Sequence, residues 1–164
     1  MREKQVHTFK SVYDENSKIL ILGTFPSVKS REEGFYYGNR QNRFWRVLSG
    51  VLKDETPNTI EEKKAFLLKH NIALWDVASS CEIENSADST IKNVMPNDIK
   101  GLVEKTKIEC IFLNGKTALK LYLKFFGKEF QIEYIGLPST SPANAAFSLE
   151  KLQNEWQKIL DFVQ

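Results

Sequence analysis

Four short apolar runs alternate along the chain with stretches of helical periodicity. Continuous apolar runs of this length are typical of strands that are buried on both faces of a sheet. The first run, from Ile19 to Leu22, is the clearest because all four residues are aliphatic. The pattern predicts four strands, at residues 18–24, 72–77, 108–113 and 131–137.

Between these strands, apolar residues recur at the spacing of a helix. Positions 44, 47, 48 and 51 form one stripe, which predicts a helix from Arg43 to Leu52 with Asn42 as its N-cap. Thr59 and Glu62 have the spacing of a capping box, so a second helix is predicted to begin there. Three more helices are predicted, at residues 96–105, at residues 116–126 and after Ser148. Residues 25–41 and 79–97 lack a clear period and predict long loops.

Strands that alternate with helices predict a parallel sheet covered on both faces. We therefore expect a three-layer α/β/α fold with a central, four-stranded, mainly parallel sheet, in a single domain spanning residues 1–164. Right-handed crossovers bring the carboxyl ends of all four strands to one edge of the sheet. The segments GTFPS, LWDV, LNGK and LPSTSPANA follow those strand ends, and the sequence predicts a ligand site there.

Composition narrows the classes of function. Of the 164 residues, 41% are hydrophobic and 27% are charged, as in ordinary globular proteins, and a net charge of +2 permits nucleic-acid binding without arguing for it. Two cysteines and two histidines are too few for the usual iron–sulfur cluster and argue against a zinc site. No apolar stretch is long enough to span a bilayer. We expect a cytoplasmic protein with no metal or cofactor and no membrane partner.

Several of these strand-end segments resemble motifs of one family. GTFPS, at residues 23–27, resembles the first motif of the uracil-DNA glycosylase superfamily. NRFW, at residues 42–45, is similar to a segment of its mismatch-specific uracil/thymine branch, and the loop that carries YYGN and NRFW looks closest to the hypoxanthine-DNA glycosylases. LWDV with SADS, FLNGK, and LPSTSPANA at residues 137–145 are similar to later segments of that family, in the same order.

The resemblance implies that Asn42 is the catalytic residue. Many members of the superfamily carry a catalytic Asp or Asn at the third position of the first motif, where this chain has Phe25. The amide of Asn42 could hold the attacking water through its carbonyl oxygen. Asn39, in the same loop, is the second candidate. The alternative is that Asn42 only caps the helix.

The resemblance also predicts the residues of a base pocket. Tyr36 and Tyr37 could stack against an extruded base or simply pack within the loop. Asp76 could accept the N1–H of hypoxanthine, form a salt bridge or cap a helix. Asn114 could read the base edge or hold a turn. The full predicted pocket consists of Gly23, Thr24, Phe25, Tyr36, Tyr37, Asp76 and Asn114.

The turn after the fourth predicted strand is expected to contact DNA. Its hydroxyls and amides suit phosphate groups, and its residues are Pro138, Ser139, Thr140, Ser141, Pro142, Ala143 and Asn144. The chain has Ala143 where the mismatch branch can carry a wedge Arg.

Together these features predict a monomeric, monofunctional DNA glycosylase for a deaminated base, with hypoxanthine favoured and uracil an option. Lys116 leaves a lyase activity open. The alternative is a non-enzymatic nucleotide- or nucleic-acid-binding α/β domain.

Overall fold

A computed structural model describes residues 3–127 and 130–163. Its seven strands are β1 (Glu3–Val6), β2 (Ile19–Gly23), β3 (Ile72–Asp76), β4 (Ala78–Ile83), β5 (Lys92–Pro96), β6 (Cys110–Asn114) and β7 (Glu133–Leu137). The helices in the same part of the chain are α1 (Val28–Glu33), α2 (Phe44–Leu52), α3 (Ile60–Lys69), α4 (Ile99–Glu104), α5 (Lys116–Phe126), α6 (Leu149–Trp156) and α7 (Leu160–Val163). Short 3-10 turns lie at Asp88–Thr90 and Gln157–Ile159.

The predicted four-stranded sheet is confirmed. Its order is β3-β2-β6-β7, and all three pairings are parallel. Every residue of β2 is buried, because alternate side chains enter two separate cores. Ile19 and Ile21 face α2, α3 and α6, whereas Leu20 and Leu22 face α4 and α5. The three-layer architecture follows directly from this alternation.

The predicted long loop at residues 79–97 is wrong. It contains β4 and β5, which form a second, antiparallel sheet in the order β1-β4-β5. The signal was weak because β4 mixes serines with its apolar residues and its pairing with β5 is irregular. Its other partner, β1, is remote in sequence, so the pairing is not visible in the local pattern.

The predicted loop at residues 25–41 also contains a helix, α1. The Ser27 hydroxyl accepts from the backbone N–H of Ser30 at its start, and Gly34 adopts a left-handed conformation at its end. Two other predicted caps are confirmed, whereas Arg43 rather than the predicted Asn42 is at the cap position of α2. Thr59 and Glu62 make both bonds of the capping box, and Ser148 caps α6.

The sheet brings its four carboxyl ends to one edge, as predicted. Gly23, Asp76, Asn114 and Leu137 end β2, β3, β6 and β7, respectively. The loops that follow them therefore converge on a common cleft. Within the described ranges, no helix has the length and apolar character needed to cross a membrane.

Candidate active site

Two polar side-chain atoms converge over Gly23, at the end of the central strand β2. A Cβ on Gly23 would lie 2.5 Å from Asp76 Oδ1 and 2.9 Å from the Tyr37 hydroxyl oxygen. Real Cβ atoms are not found this close to such groups, so the approach requires glycine at this position. The result is a carboxylate oxygen and a phenol side by side at the sheet edge.

Tyr37 is held rigidly in this position. Its backbone is left-handed, with φ at 54°, and its ring stacks on Phe44 with 3.9 Å between centroids. Its hydroxyl accepts a hydrogen bond from Asn114 Nδ2 at 3.1 Å. Burial, and then the negative charge of Asp76, raise the pKa of this hydroxyl above its ordinary value, while the Asn114 contact lowers it. The phenol therefore stays protonated and keeps a hydrogen to donate.

Asp76 is buried, and among the described residues only one of its two carboxylate oxygens has a hydrogen-bond partner. Oδ2 accepts a hydrogen bond from His7 Nε2 at 2.9 Å, a contact that would be a salt bridge only with a charged imidazole. Oδ1 accepts no hydrogen bond from residues 3–127 or 130–163. The contact with His7 and the reading of a base are thus compatible, because each uses a different oxygen.

A second carboxylate, Asp88, lies near Asp76, Tyr37 and Thr24. Burial raises the pKa of Asp88 to about 6, the Thr24 hydroxyl acts in the opposite direction, and the charge of Asp76 raises it further. Asp88 lies in the SADS segment, but nothing in the local sequence pattern distinguishes it from the other polar residues there.

A chain of hydrogen bonds connects Asn114, at the end of β6, to Asn42. Asn114 Nδ2 donates to Thr140 Oγ1 at 3.1 Å, and Thr140 Oγ1 donates to Asn42 Oδ1 at 2.8 Å. The backbone N–H of Phe44 also donates to Asn42 Oδ1, at 3.0 Å. If the Asn42 amide were flipped, its NH2 group would face these two donors, so its orientation is fixed.

This orientation changes the role expected of Asn42. Two protein donors already occupy Oδ1, the atom expected to hold the water. Nδ2 makes no hydrogen bond to any described residue and is the group left for a ligand. The capping alternative is present in part, because Oδ1 binds the first amide of α2, although Arg43 is the residue at the cap position.

Asn39 shapes the turn that presents Asn42. Its side-chain Oδ1 accepts from the backbone N–H of Gln41, and its carbonyl accepts from the N–H of Asn42, both at 2.9 Å. These bonds give Asn39 a structural role in the loop.

Two of the aromatic residues predicted for the base pocket lie in the interior instead. Tyr36 is 2% exposed, and its hydroxyl donates to the carbonyl of Lys10 at 2.9 Å. Phe25 is buried against Cys81 and Ile83. The prediction that these two rings stack on an extruded base is therefore wrong, because both are buried and neither ring has a face open to a base. They support the residues that line the cleft. Thr24 is also buried, directly behind Gly23.

The turn after β7 is braced from beneath by Arg43. Its guanidinium donates to the carbonyls of Ser141, Asn144 and Phe147. The prediction that Thr140 contacts DNA is corrected, because this residue is fully buried and its hydroxyl holds Asn42.

Several of the remaining polar groups of the turn also make bonds within it. Ser139 Oγ and Ser141 Oγ accept backbone N–H groups, and Asn144 Nδ2 donates to the carbonyl of Ser139. The carbonyl of Pro138 accepts from an indole N–H of α6. Pro142 and Ala143 form the exposed tip of the turn, and the hydroxyls of Ser139 and Ser141 keep a hydrogen that can still be donated.

The sequence profile of the Uracil DNA glycosylase superfamily matches residues 10–164. The chain belongs to the uracil DNA glycosylase superfamily. Two relatives in this superfamily are named hypoxanthine DNA glycosylase. The one from Methanosarcina acetivorans is 39% identical over 155 residues, which cover 92% of this chain and 95% of the relative.

The second, from Methanosarcina barkeri, is 32% identical over 152 residues, which cover 90% of this chain and 93% of the relative. A solved structure agrees with this superfamily assignment. It is the solution NMR structure of a proposed uracil DNA glycosylase from Methanosarcina acetivorans, with a TM-score of 0.77 and 37% identity. The alignment covers 92% of this chain and 93% of that protein. The likeness therefore extends over nearly the whole fold.

A side chain outside the predicted site residues also contacts Asp76. His7 precedes the matched residues, yet it contacts Asp76 directly. The sequence signal for it was slight, since it was only one of two histidines in a polar N-terminal segment. Within residues 3–127 and 130–163, no three His, Cys, Asp or Glu side chains are grouped so that they could hold a metal ion.

Replacing Gly23 with Ala tests the convergence over β2. The new methyl group would displace Asp76 Oδ1 and the Tyr37 hydroxyl, since both lie within 3.0 Å of its position. We expect activity to fall by about tenfold or more, because misplacement by roughly 1 Å is known to cause losses of up to about a hundredfold. Single-turnover excision rates would measure the effect. Gly136→Ala is a matched control on exposed β7, where the nearest atom is the flexible Leu119 side chain.

Proposed function

We propose that the protein is a monofunctional, monomeric DNA glycosylase that hydrolyses the N-glycosidic bond of a deaminated base in DNA. Hypoxanthine is the preferred base, and uracil is the second. Superfamily membership and the names of its relatives support this activity. The observation that carries the choice of base is the pair of atoms over Gly23, a free carboxylate oxygen beside a protonated phenol.

This pair complements what deamination creates. Hypoxanthine presents a donor, N1–H, next to an acceptor, O6, whereas adenine presents an acceptor, N1, next to a donor, its amino group. Asp76 Oδ1 can accept from N1–H, and Tyr37 can donate to O6. The carboxylate alone would repel O6, so the neighbouring phenol is essential to the match. In adenine, the lone pair of N1 would face the carboxylate oxygen. A site that leaves buried polar groups unpaired in this way discriminates strongly against the wrong base.

Uracil carries the same donor and acceptor, N3–H and O4, and cytosine carries them reversed. One pair of protein atoms therefore separates both deaminated bases from their parents. Guanine and thymine also present an N–H beside a carbonyl, and their rejection falls to the pocket walls, which must exclude the extra amino or methyl group.

The chemistry needs modest assistance at the sugar. Cleavage of an N-glycosidic bond passes through an oxocarbenium-like sugar, as in other glycoside hydrolyses. We assign to Asn42 Nδ2 the contact that positions the water or the sugar, because Oδ1 is already engaged. Tyr37 can stabilise the departing base by donating to its carbonyl oxygen as negative charge develops there.

DNA engagement is assigned to the exposed tip at Pro142 and Ala143. The bonds from Arg43 to three carbonyls hold the base of the turn, so little order has to be gained on binding. A small apolar tip can approach the minor groove closely while the base is extruded.

A strand-nicking assay tests the proposed activity. Duplexes containing inosine, uracil, xanthine or a G·T pair are incubated with the protein and then heated in alkali, with an adenine duplex as the matched control. We expect alkali-dependent nicks at inosine first and at uracil more slowly. Nicks without alkali would instead indicate a lyase. Tight binding without nicks at any base would support the binding-domain alternative and overturn the proposal.

A further inference from the structure

The ring of His7 is fixed by its surroundings on several sides. Its backbone N–H donates to the carbonyl of Ser79 at 2.7 Å, which anchors it beside β4. Its ring lies 4.6 Å from Phe9, 5.7 Å from Tyr36 and 6.0 Å from Phe25, measured between centroids. The side chain is 4% exposed. Such an enclosure leaves few other rotamers open to the imidazole.

This enclosed ring points one nitrogen at Asp76 and leaves the other without a partner. Nε2 lies 2.9 Å from Asp76 Oδ2. Nδ1 is buried and has no hydrogen-bond partner in the described part of the chain. A proton on Nδ1 would have no acceptor, and a buried unsatisfied donor is strongly unfavourable. The tautomer that fits is therefore neutral, with its proton on Nε2 and donated to the carboxylate.

From this geometry we infer that His7 is a positioning residue for base recognition, and that it binds Asp76 Oδ2 so that Oδ1 alone faces the base. This inference rests on the proposed function. His7 lies in the N-terminal segment, before residues 10–164, which the superfamily profile matches.

The carboxylate needs such a partner for a physical reason. A buried Asp with no hydrogen bond could rotate and present either oxygen, or take up a proton and become a donor. The second carboxylate, Asp88, lies close enough to interact with it unfavourably. A neutral donor on Oδ2 removes the rotation and supports the negative charge without adding a positive charge that would attract O6 of the base.

Two replacements of His7 distinguish the effect of its hydrogen-bond donor from the effect of the space that its ring fills. His7→Leu fills part of the space but cannot donate. His7→Gln can place an amide N–H at a similar distance from the backbone. We expect His7→Leu to reduce single-turnover excision of hypoxanthine by about 10- to 100-fold, the effect of losing a hydrogen bond to a charged group, with DNA affinity unchanged. His7→Gln should recover the rate to within a few fold of the wild type.

A double-mutant cycle tests whether His7 acts through Asp76. In an Asp76→Asn background, His7→Leu should cause no further loss and should partly restore the rate, because the amide is then free to turn its oxygen toward the base. An equal loss in both backgrounds would show that His7 acts elsewhere and would overturn the inference. A folded His7→Leu protein with the wild-type rate would do the same. Thermal unfolding of each variant separates these outcomes from a loss of stability.

The failure of the inference can be told apart from failure of the proposed function. The wild-type protein in the same assay tests the function alone. The ring nitrogens of His7 can also be observed by NMR without any substrate. We expect the spectrum of a neutral imidazole protonated at Nε2. A proton at Nδ1, or no change at Nε2 in Asp76→Asn, would overturn the inference whatever the protein excises.

Discussion

Replacing Asn42 with Ala is expected to reduce the single-turnover rate of base excision by about two orders of magnitude or more, while DNA affinity changes little. We have assigned to the Asn42 amide, through its free Nδ2, the contact that positions the water or the sugar. Positioning of a reacting group lowers the activation free energy by on the order of several kcal/mol. The rate should fall by a similar factor for every base that the protein excises. Excision of hypoxanthine and uracil under enzyme excess would measure it.

The control for this prediction comes from the internal bonds of Asn42. Alanine leaves the Thr140 hydroxyl and the Phe44 N–H without their acceptor, which should lower the free energy of unfolding by roughly 1–3 kcal/mol. Asn42→Asp keeps both bonds and exchanges only the free Nδ2 for an oxygen. We expect it to be as stable as the wild type and more active than Asn42→Ala, because an oxygen can still hold water. A wild-type rate from a folded Asn42→Ala protein would transfer the catalytic role to Asn39.

The sheet and the caps could be predicted because their causes are local. The aliphatic run of β2 identifies a strand buried on both faces, and a capping box needs only Thr59 and Glu62. The second sheet could not be predicted in this way. Residues of β4 find their partners in β1, more than seventy positions earlier, and neither strand has a strong pattern of its own. Pairing over such distances is a property of the assembled fold.

In the candidate site, too, some features follow from the local sequence and others depend on residues that are distant along the chain. Strand ends predicted Gly23, Asp76 and Asn114, because parallel topology alone brings them together. Their contacts depend on side chains from elsewhere. The buried hydroxyl of Thr140 was expected on the surface because its turn is polar, yet its bonds to Asn114 and Asn42 hold it inside. Sequence spacing gives the place of a residue along an element, whereas its partners come from packing.

Replacing Asp76 with Asn is expected to reduce excision of hypoxanthine by about a thousandfold or more, with the fold retained. The substitution changes one atom. The Nε2 proton of His7 would hold the amide Oδ1, so Nδ2 would take the place that faces the base. Two donors, the amide and N1–H, would then oppose each other. A site that leaves such groups unpaired commonly discriminates by about four to five orders of magnitude.

The choice of base makes this result distinguishable from a general loss of activity. Purine, the base of deoxynebularine, has neither N1–H nor O6, so Asp76→Asn should change its excision far less than that of hypoxanthine. Uracil, which has N3–H, should follow hypoxanthine. Asn42→Ala, by contrast, should reduce the excision of hypoxanthine, purine and uracil by the same factor, because Asn42 acts at the sugar. If Asp76→Asn excised hypoxanthine within tenfold of the wild type, Asp76 would be only the structural partner of His7. Another group would then have to accept N1–H, and Asp88, which interacts with both Asp76 and Tyr37, is the candidate.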